Sequence, residues 1–539
     1  MKRFLAAFLT VIILISLNSC ASRGINQSIS YSLSGSPQTL DPQYAKDTSA
    51  HIVINNVFEG LVRLSGDGEV MPGIAESWSV SPDGLTYTFK LKEGTEWYCS
   101  VALKNEFGEA FYKKFSEEKV TANDFVFAMR RAVSPQISSS SAHRLFSIVN
   151  AAEIYAGEAE VSTLGVTAPD DNTLIINLKE PCDDMLQRLT ESVFMPCNEE
   201  FFNAMNGRYG LSNRHILCNG PFYVSSWATD SSLTIKRNKY YAGEQEVLPL
   251  SVNFSFDFSS DTIVKELAAS SVSAALLPPD CAVPENTVVI KENPNSVSGF
   301  SFNCSDSLLK NSNLRLALCS SIDRSLFGEI ENAVPQSGFV PMNCTSGGEN
   351  YRKTIGSQTP KVENDPTAAT EYWNAALSEL SVEKVSLTVI CPEWLDSAVR
   401  NQLQIWQKTL GINLGITVEI KTPQEITDAV NSGNYQIALT GVESSYDNAV
   451  DFFASFRDGG IFRFSSDEYT AIIDRLLTVE DKQELIGGCF TAESFILQQG
   501  IFYPLYGRSS SFVCSDEVEG ITVCGSESTV SFIGAKRFD

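Results

Sequence analysis

The sequence predicts an α/β fold whose sheet is covered on its faces, and three observations carry that prediction. Short stretches alternate apolar and polar residues with period two, others place apolar residues at helical spacing, and the two kinds follow one another closely in the second half. No internal repeat and no long Pro/Ser-rich linker divides the chain, so its domains are expected to be interleaved, the chain crossing between them several times.

In order along the chain, Gly66-Asp67-Gly68 reads as a turn and Leu85 to Leu91 as a half-buried strand. Val120 to Val133 is predicted as a helix: Thr121 with Asp124 three residues on forms a capping box, and Pro135 follows the end. Leu174 to Leu178 is a further strand. Leu395, Val399, Leu403, Trp406 and Leu410 share a helix face, and Gly411 supplies the stop. Ile416, Val418 and Ile420 alternate as a strand. Thr422-Pro423 with Glu425 then opens a helix that Gly433 ends, and Tyr435 to Thr440 is a strand again.

The amino terminus has its own grammar. Lys2 and Arg3 precede an apolar stretch from Phe4 to Leu17, which is too short to span a bilayer comfortably, and Leu17-Asn18-Ser19-Cys20 closes it. A small residue followed by cysteine resembles the lipobox of bacterial lipoproteins. That resemblance implies that residues 1–19 are removed, that the Cys20 thiol is acylated (palmitate is expected), and that the mature protein is moored to the extracytoplasmic side of the cell membrane.

Composition narrows the function. Hydrophobic residues at 43% and charged residues at 19% describe a folded globular chain. The net charge of −25 repels nucleic acid and anionic membrane surfaces, so a nucleic-acid partner is excluded. There are thirteen cysteines, twelve once Cys20 is set aside, and no CxxC pair. An exported chain of this length buries its own core without staples. Most are therefore expected as small buried residues, with one or two bridges, Cys514 with Cys524 and Cys182 with Cys197 being the nearest in sequence.

Thr39-Leu40-Asp41-Pro42, Val57-Phe58-Glu59-Gly60-Leu61, Pro72-Gly73-Ile74-Ala75-Glu76-Ser77-Trp78 and Ser81-Pro82-Asp83-Gly84-Leu85-Thr86-Tyr87 occur in that order, followed by Val120-Thr121-Ala122-Asn123-Asp124-Phe125. Ala168-Pro169-Asp170-Asp171-Asn172-Thr173-Leu174, Asn219-Gly220-Pro221-Phe222-Tyr223, Arg237-Asn238-Lys239-Tyr240-Tyr241 and Leu314-Arg315-Leu316-Ala317-Leu318 with Ile322-Asp323-Arg324 come later. Each is weak alone, but together, over nearly the whole mature chain, they resemble the oligopeptide-, dipeptide- and nickel-binding proteins of ABC importers. The resemblance implies a two-lobed, type II periplasmic-binding-protein fold of three interleaved subdomains. Residues 20–64, 218–295 and 509–539 would form the core of lobe 1, residues 65–217 its accessory domain, and residues 296–508 lobe 2. It further implies a monomer without cofactor, with a peptide held extended between the lobes and passed to the permease.

The family holds a peptide's ammonium with a carboxylate in a Gly-Trp-x-x-Asp-Tyr segment, and the corresponding stretch is Gly441-Val442-Glu443-Ser444-Ser445-Tyr446-Asp447. Gly441 and Tyr446 fit, but Ser445 stands where the carboxylate belongs. A hydroxyl accepts a hydrogen bond without balancing an ammonium. Loss of a charge-assisted bond of about 1.5–3 kcal/mol would weaken free-amino peptides on the order of ten- to a hundred-fold. Glu443 and Asp447, each two residues from Ser445, face the same way in extended backbone and can replace the charge, or can be solvated surface acids. Val430 and Leu439 occupy positions where some relatives carry basic residues for the peptide carboxylate. Arg508 is a candidate for that carboxylate or for a structural ion pair, and Val53 and His51 lie in a segment expected beside the cleft.

Two further solute readings stay open: a binder of cell-wall peptides, because the ammonium site is altered, and a binder of nickel or a metal chelate. Catalysis is disfavoured. Ser116-x-x-Lys119 and Ser381-x-x-Lys384 lack companion motifs, and three histidines (His51, His143, His215) leave little for general-base chemistry.

Overall fold

The computed structural model describes residues 25–538 except 138, 140, 183, 257–258, 279–280, 329, 331–332, 445–447, 480 and 525–528. Cys20 and its leader therefore lie outside the described residues, as do Ser445, Tyr446 and Asp447.

Ten strands form the continuous path of one large mixed sheet. In chain order they are β1 (Ser28–Leu33), β2 (Phe222–Ala228), β3 (Ser232–Arg237), β4 (Ser251–Phe256), β5 (Ala274–Leu277), β6 (Thr287–Phe302), β7 (Val385–Cys391), β8 (Leu414–Ile420), β9 (Ile437–Glu443) and β10 (Phe502–Ser515). Their order across the sheet is β8-β7-β9-β6-β10-β5-β1-β4-β3-β2, and Val334–Pro335 pairs with β10 off this path. β6 and β10 are long enough to serve two lobes. Their antiparallel register runs from Thr287 opposite Ser515 to Ser301 opposite Phe502. At one end β10 pairs with β5, and at the other β6 pairs with β9.

Between the two ends the register slips: Asn293 faces Ser510, Ser296 faces Arg508, and Pro294 with Asn295 opposes Ser509 alone. An extra residue on one strand is a bulge, which bends the pair and tolerates a proline that has no N–H to give. The freed backbone is used. The Ser444 amide donates to the Asn295 carbonyl at 2.8 Å, and the Asn343 amide donates to the Pro294 carbonyl at 3.2 Å.

The cores follow this division. One cluster draws on residues between 29 and 274 and again between 512 and 535, and two others lie between 297 and 506. Within lobe 1 a separate four-stranded antiparallel sheet is ordered Ala75–Val80, Thr86–Leu91, Thr173–Asn177, Val166–Asp170. Helix α1 (Thr48–Val57) lies in the lobe 1 core, and α2 (Ala122–Ala132) starts with the predicted Thr121/Asp124 capping box. In lobe 2, α3 (Asp396–Leu410) stops at Gly411 with φ 97°, and α4 (Pro423–Ser432) stops at Gly433 with φ 79°. Positive φ is the conformation glycine adopts without steric cost, which is why both stops were readable.

Two expectations need correction. All twelve described cysteines are free thiols, and nine of them are buried. Cys197 instead accepts from Arg131 at 3.2 Å, while Cys182 donates to Asp184 at 3.0 Å, so the two thiols serve different neighbourhoods. Second, β9 runs to Glu443, three residues past the predicted end at Thr440. Gly441 does not break it. A Cβ there would meet Ser296 Oγ at 3.1 Å and Ser298 Oγ at 3.3 Å, so the missing side chain permits close cross-strand approach.

Candidate functional site

Where β9, β6 and β10 lie side by side, their register defines a small grid. Glu443 faces Ser296, which faces Arg508; two residues along, Gly441 faces Ser298, which faces Tyr506. Directly opposed residues, and residues two apart, project from the same side of a sheet. The middle of this face is therefore low, made of Ser296, Ser298 and Gly441. One side of it carries an acid, and the other a base with aromatic rings. With strands about 4.8 Å apart, Glu443 and Arg508 sit on backbones roughly 10 Å apart.

The basic side is built with care. The Arg508 guanidinium lies over Trp394 with 4.7 Å to the ring centroid, and over Tyr506 with 5.4 Å. Trp394, in the turn after β7, is 46% exposed, whereas Arg508 is buried. A flat, weakly hydrated cation held against aromatic faces is fixed in direction. Glu443 on the acid side is exposed.

A second cluster joins the lobes directly. Helix α5 (Ala449–Ala454) is capped by Asn448, which accepts from the Val450 and Asp451 amides at 2.8 and 3.3 Å. From its first turn Asp451 meets two groups of the 3₁₀ turn Ala142–Leu145 in lobe 1: Oδ1 pairs with His143 Nε2, and Oδ2 accepts from Arg144 Nη2. Arg144 Nε also faces Glu191 Oε2 at 3.1 Å. Next to Glu191, the Ser192 hydroxyl is bonded at 2.9 Å to Nδ1 of His51, a buried residue of α1. The interactions thus run from the lobe 1 core through Ser192, Glu191 and Arg144 to Asp451.

Burial opposes charge on Asp451, yet the Arg144 guanidinium and the hydrogen bond with His143 hold its carboxyl down to about 2. Burial pushes Glu191 the other way, with Arg144 only partly offsetting it and Asp451 adding repulsion. Burial lowers His51 to about 4, so its imidazole is neutral at ordinary pH.

The candidates from the sequence thus divide. Gly441, Glu443 and Arg508 come together on one face. Val53 is wholly buried on α1 and offers no side-chain surface, and His51 lies behind the seam. Val430 packs with Ile390, Ile426, Tyr435 and Ala438, and Leu439 belongs to a lobe 2 core. Trp394, Tyr506, Arg144 and Asp451 were missed. An exposed tryptophan just beyond a strand was the available signal for the first; the pairing across 307 residues between Arg144 and Asp451 left none.

The model for bacterial extracellular solute-binding proteins, family 5, middle region, matches residues 69–463. The oligopeptide-binding protein OppA of Bacillus subtilis (strain 168) is 25% identical over 507 residues, covering 91% of this chain and 89% of that protein. A dipeptide-binding protein of Lactococcus lactis subsp. cremoris (strain MG1363) is 28% identical over 501 residues, covering 87% and 86%. Among solved structures, Listeria monocytogenes OppA bound to peptide superposes with a TM-score of 0.73 at 24% identity, covering 95% of this chain and 99% of that one. With a family match over most of its length and the two-lobed fold in place, this chain belongs to the bacterial extracellular solute-binding proteins, family 5.

Proposed function

We propose that this protein is the substrate-binding component of an ABC importer, capturing oligopeptides between its lobes and delivering them to the membrane permease. The observation that carries this reading is the face on β9, β6 and β10, low in the middle and bounded by Glu443 and by Arg508 with Trp394. An extended peptide offers amides and carbonyls at regular intervals, and β9, which pairs with β7 only at Ile437 and Ala438, has a strand edge beside this floor where main-chain pairing binds a peptide whatever its sequence. Arg508 suits a solute carboxylate. Glu443, with Ser445, Tyr446 and Asp447 beside it in sequence, suits the opposite end. The family is one of binding proteins, and the protein is read as a receptor without catalytic activity.

In this reading Cys20 is the acylated first residue of a monomer on the extracytoplasmic side. Lobe 1 comprises residues 20–64, 218–295 and 509–539 with the accessory domain 65–217, and lobe 2 comprises residues 296–508. The test is calorimetry and thermal shift of the mature protein, freed of carried-through solute, against free-amino, N-blocked and cell-wall peptides. Binding by free-amino peptides raises the melting temperature through linkage, and no response from any peptide overturns the reading. Ser445 favours a second solute class, cell-wall peptides, which is supported if they bind best.

A further inference from the structure

We propose that Trp394 selects the solute, giving the cleft a preference for peptides whose carboxyl-terminal residue carries an aromatic or large aliphatic side chain. The inference rests on the peptide reading above and names the class of peptide.

The edge of β9 shows where such a residue comes to lie. β7 runs parallel to β9, pairs with it at Ile437 and Ala438, and ends at Cys391. β9 continues to Glu443, and among the described residues no strand pairs with that side of it beyond Ala438. A peptide that adds to the sheet there lies in line with β7, and the turn after β7 stands at its inner end. Trp394 occupies that turn. The Leu395 amide donates to the Pro392 carbonyl and the Lys421 amide to the Cys391 carbonyl, both at 3.0 Å, and Leu395 and Val399 are buried in a lobe 2 core as α3 begins. The indole is thus presented from a fixed turn, with Trp394 still 46% exposed.

Its contacts set its direction. β9 and β6 lie between β7 and β10, yet the Trp394 ring meets Tyr506 with 6.4 Å between centroids and planes inclined at 56°, and it carries the Arg508 guanidinium at 4.7 Å. Indole and guanidinium therefore meet above Ser296 and Ser298, which are buried, whereas Gly441 and Glu443 on β9 are exposed. In the peptide reading the carboxylate end belongs beside Arg508, so the last side chain of the peptide falls against the exposed part of the indole. A ring already held in place gives up water on being covered and no freedom of its own, so a flat or branched apolar group gains most by covering it. An alanine in the same place leaves the ring wet.

The experiment is calorimetry of the solute-stripped mature protein with alanine-based peptides of about three to five residues. At each length one ends in Phe, one in Leu and one in Ala, and an isomer begins with Phe. Wild type is compared with Trp394→Ala, Trp394→Phe and Tyr155→Ala, the last removing a 39% exposed aromatic of lobe 1. Wild type and Tyr155→Ala are expected to bind the peptides ending in Phe or Leu about ten-fold tighter than the one ending in Ala and the isomer beginning with Phe. Trp394→Ala is expected to abolish that ratio, and Trp394→Phe to keep most of it. The ratio is the readout, because a variant that merely loosened Arg508 would weaken every peptide alike and leave the ratio standing. Equal binding of all peptides by wild type, or an unchanged ratio in Trp394→Ala, overturns the proposal while the peptide reading stands. Binding of none of them overturns the peptide reading and this inference together.

Discussion

Arg508 and Trp394 meet face to face, the guanidinium 4.7 Å from the ring centroid, although 113 residues separate them in the chain. The pair combines a buried cation with a half-exposed indole, so anything drawn to the cation passes the ring. Solute binding is therefore expected to change tryptophan emission. Trp394→Phe is expected to abolish most of that change, and Arg508→Ala to weaken carboxylate-bearing peptides by about ten- to a hundred-fold through loss of a charge-assisted bond. Titrations followed by fluorescence and by calorimetry check both.

In the proposed reading, Ser445 puts a hydroxyl where the family resemblance implies a carboxylate. Ser445→Asp is expected to tighten free-amino peptides by about ten-fold or more and to leave N-blocked ones unchanged. Calorimetry with a matched free and acetylated peptide pair reads the difference directly.

His51 is neutral in the folded protein down to about pH 4, while the unfolded chain takes up its proton near 6.5. Below 6.5 the unfolded state binds the extra proton. Stability therefore falls as pH drops from 6.5 to 4, by about 3 kcal/mol in total, and the contribution is flat above and below that window. Urea unfolding of wild type and His51→Gln across this range is expected to converge, with wild type losing its lead as the solution becomes acidic.

Glu493 is fully buried on α6 (Lys482–Gln498), where it accepts from the Phe339 and Val340 amides at 2.6 and 3.1 Å and from Tyr351 at 3.0 Å, and pairs with Arg352. Removing one member of a buried pair strands the rest. Glu493→Ala is expected to cost about 3–5 kcal/mol in urea unfolding, and Glu493→Gln less.

Twelve free thiols follow from the cysteine environments. A protein comprising residues 21–539 is expected to titrate twelve thiols after denaturation without reductant. The native protein is expected to react slowly, since burial pushes thiols such as Cys218 and Cys391 up to about 12 and 11. Ten reactive thiols or fewer in the denatured state would indicate a bridge.

The sequence by itself determined the local elements and the family. Capping boxes at Thr121 and Thr422, the glycine stops at 411 and 433, and the period-two strands depend on neighbours a few residues apart, so they were visible in the linear chain. The ordered motifs added the two-lobed plan, and a separate family segment offered Gly441 and Glu443 as candidates for the solute site. Only the tertiary structure decided what faces them. Cross-strand register brought Arg508 level with Glu443, packing of α1 put Val53 in a core, and the twelve described cysteines stayed free thiols. Chain crossing between lobes set Asp451 against Arg144. Such partners are chosen by packing and sheet order over hundreds of residues, and no local spacing encodes them.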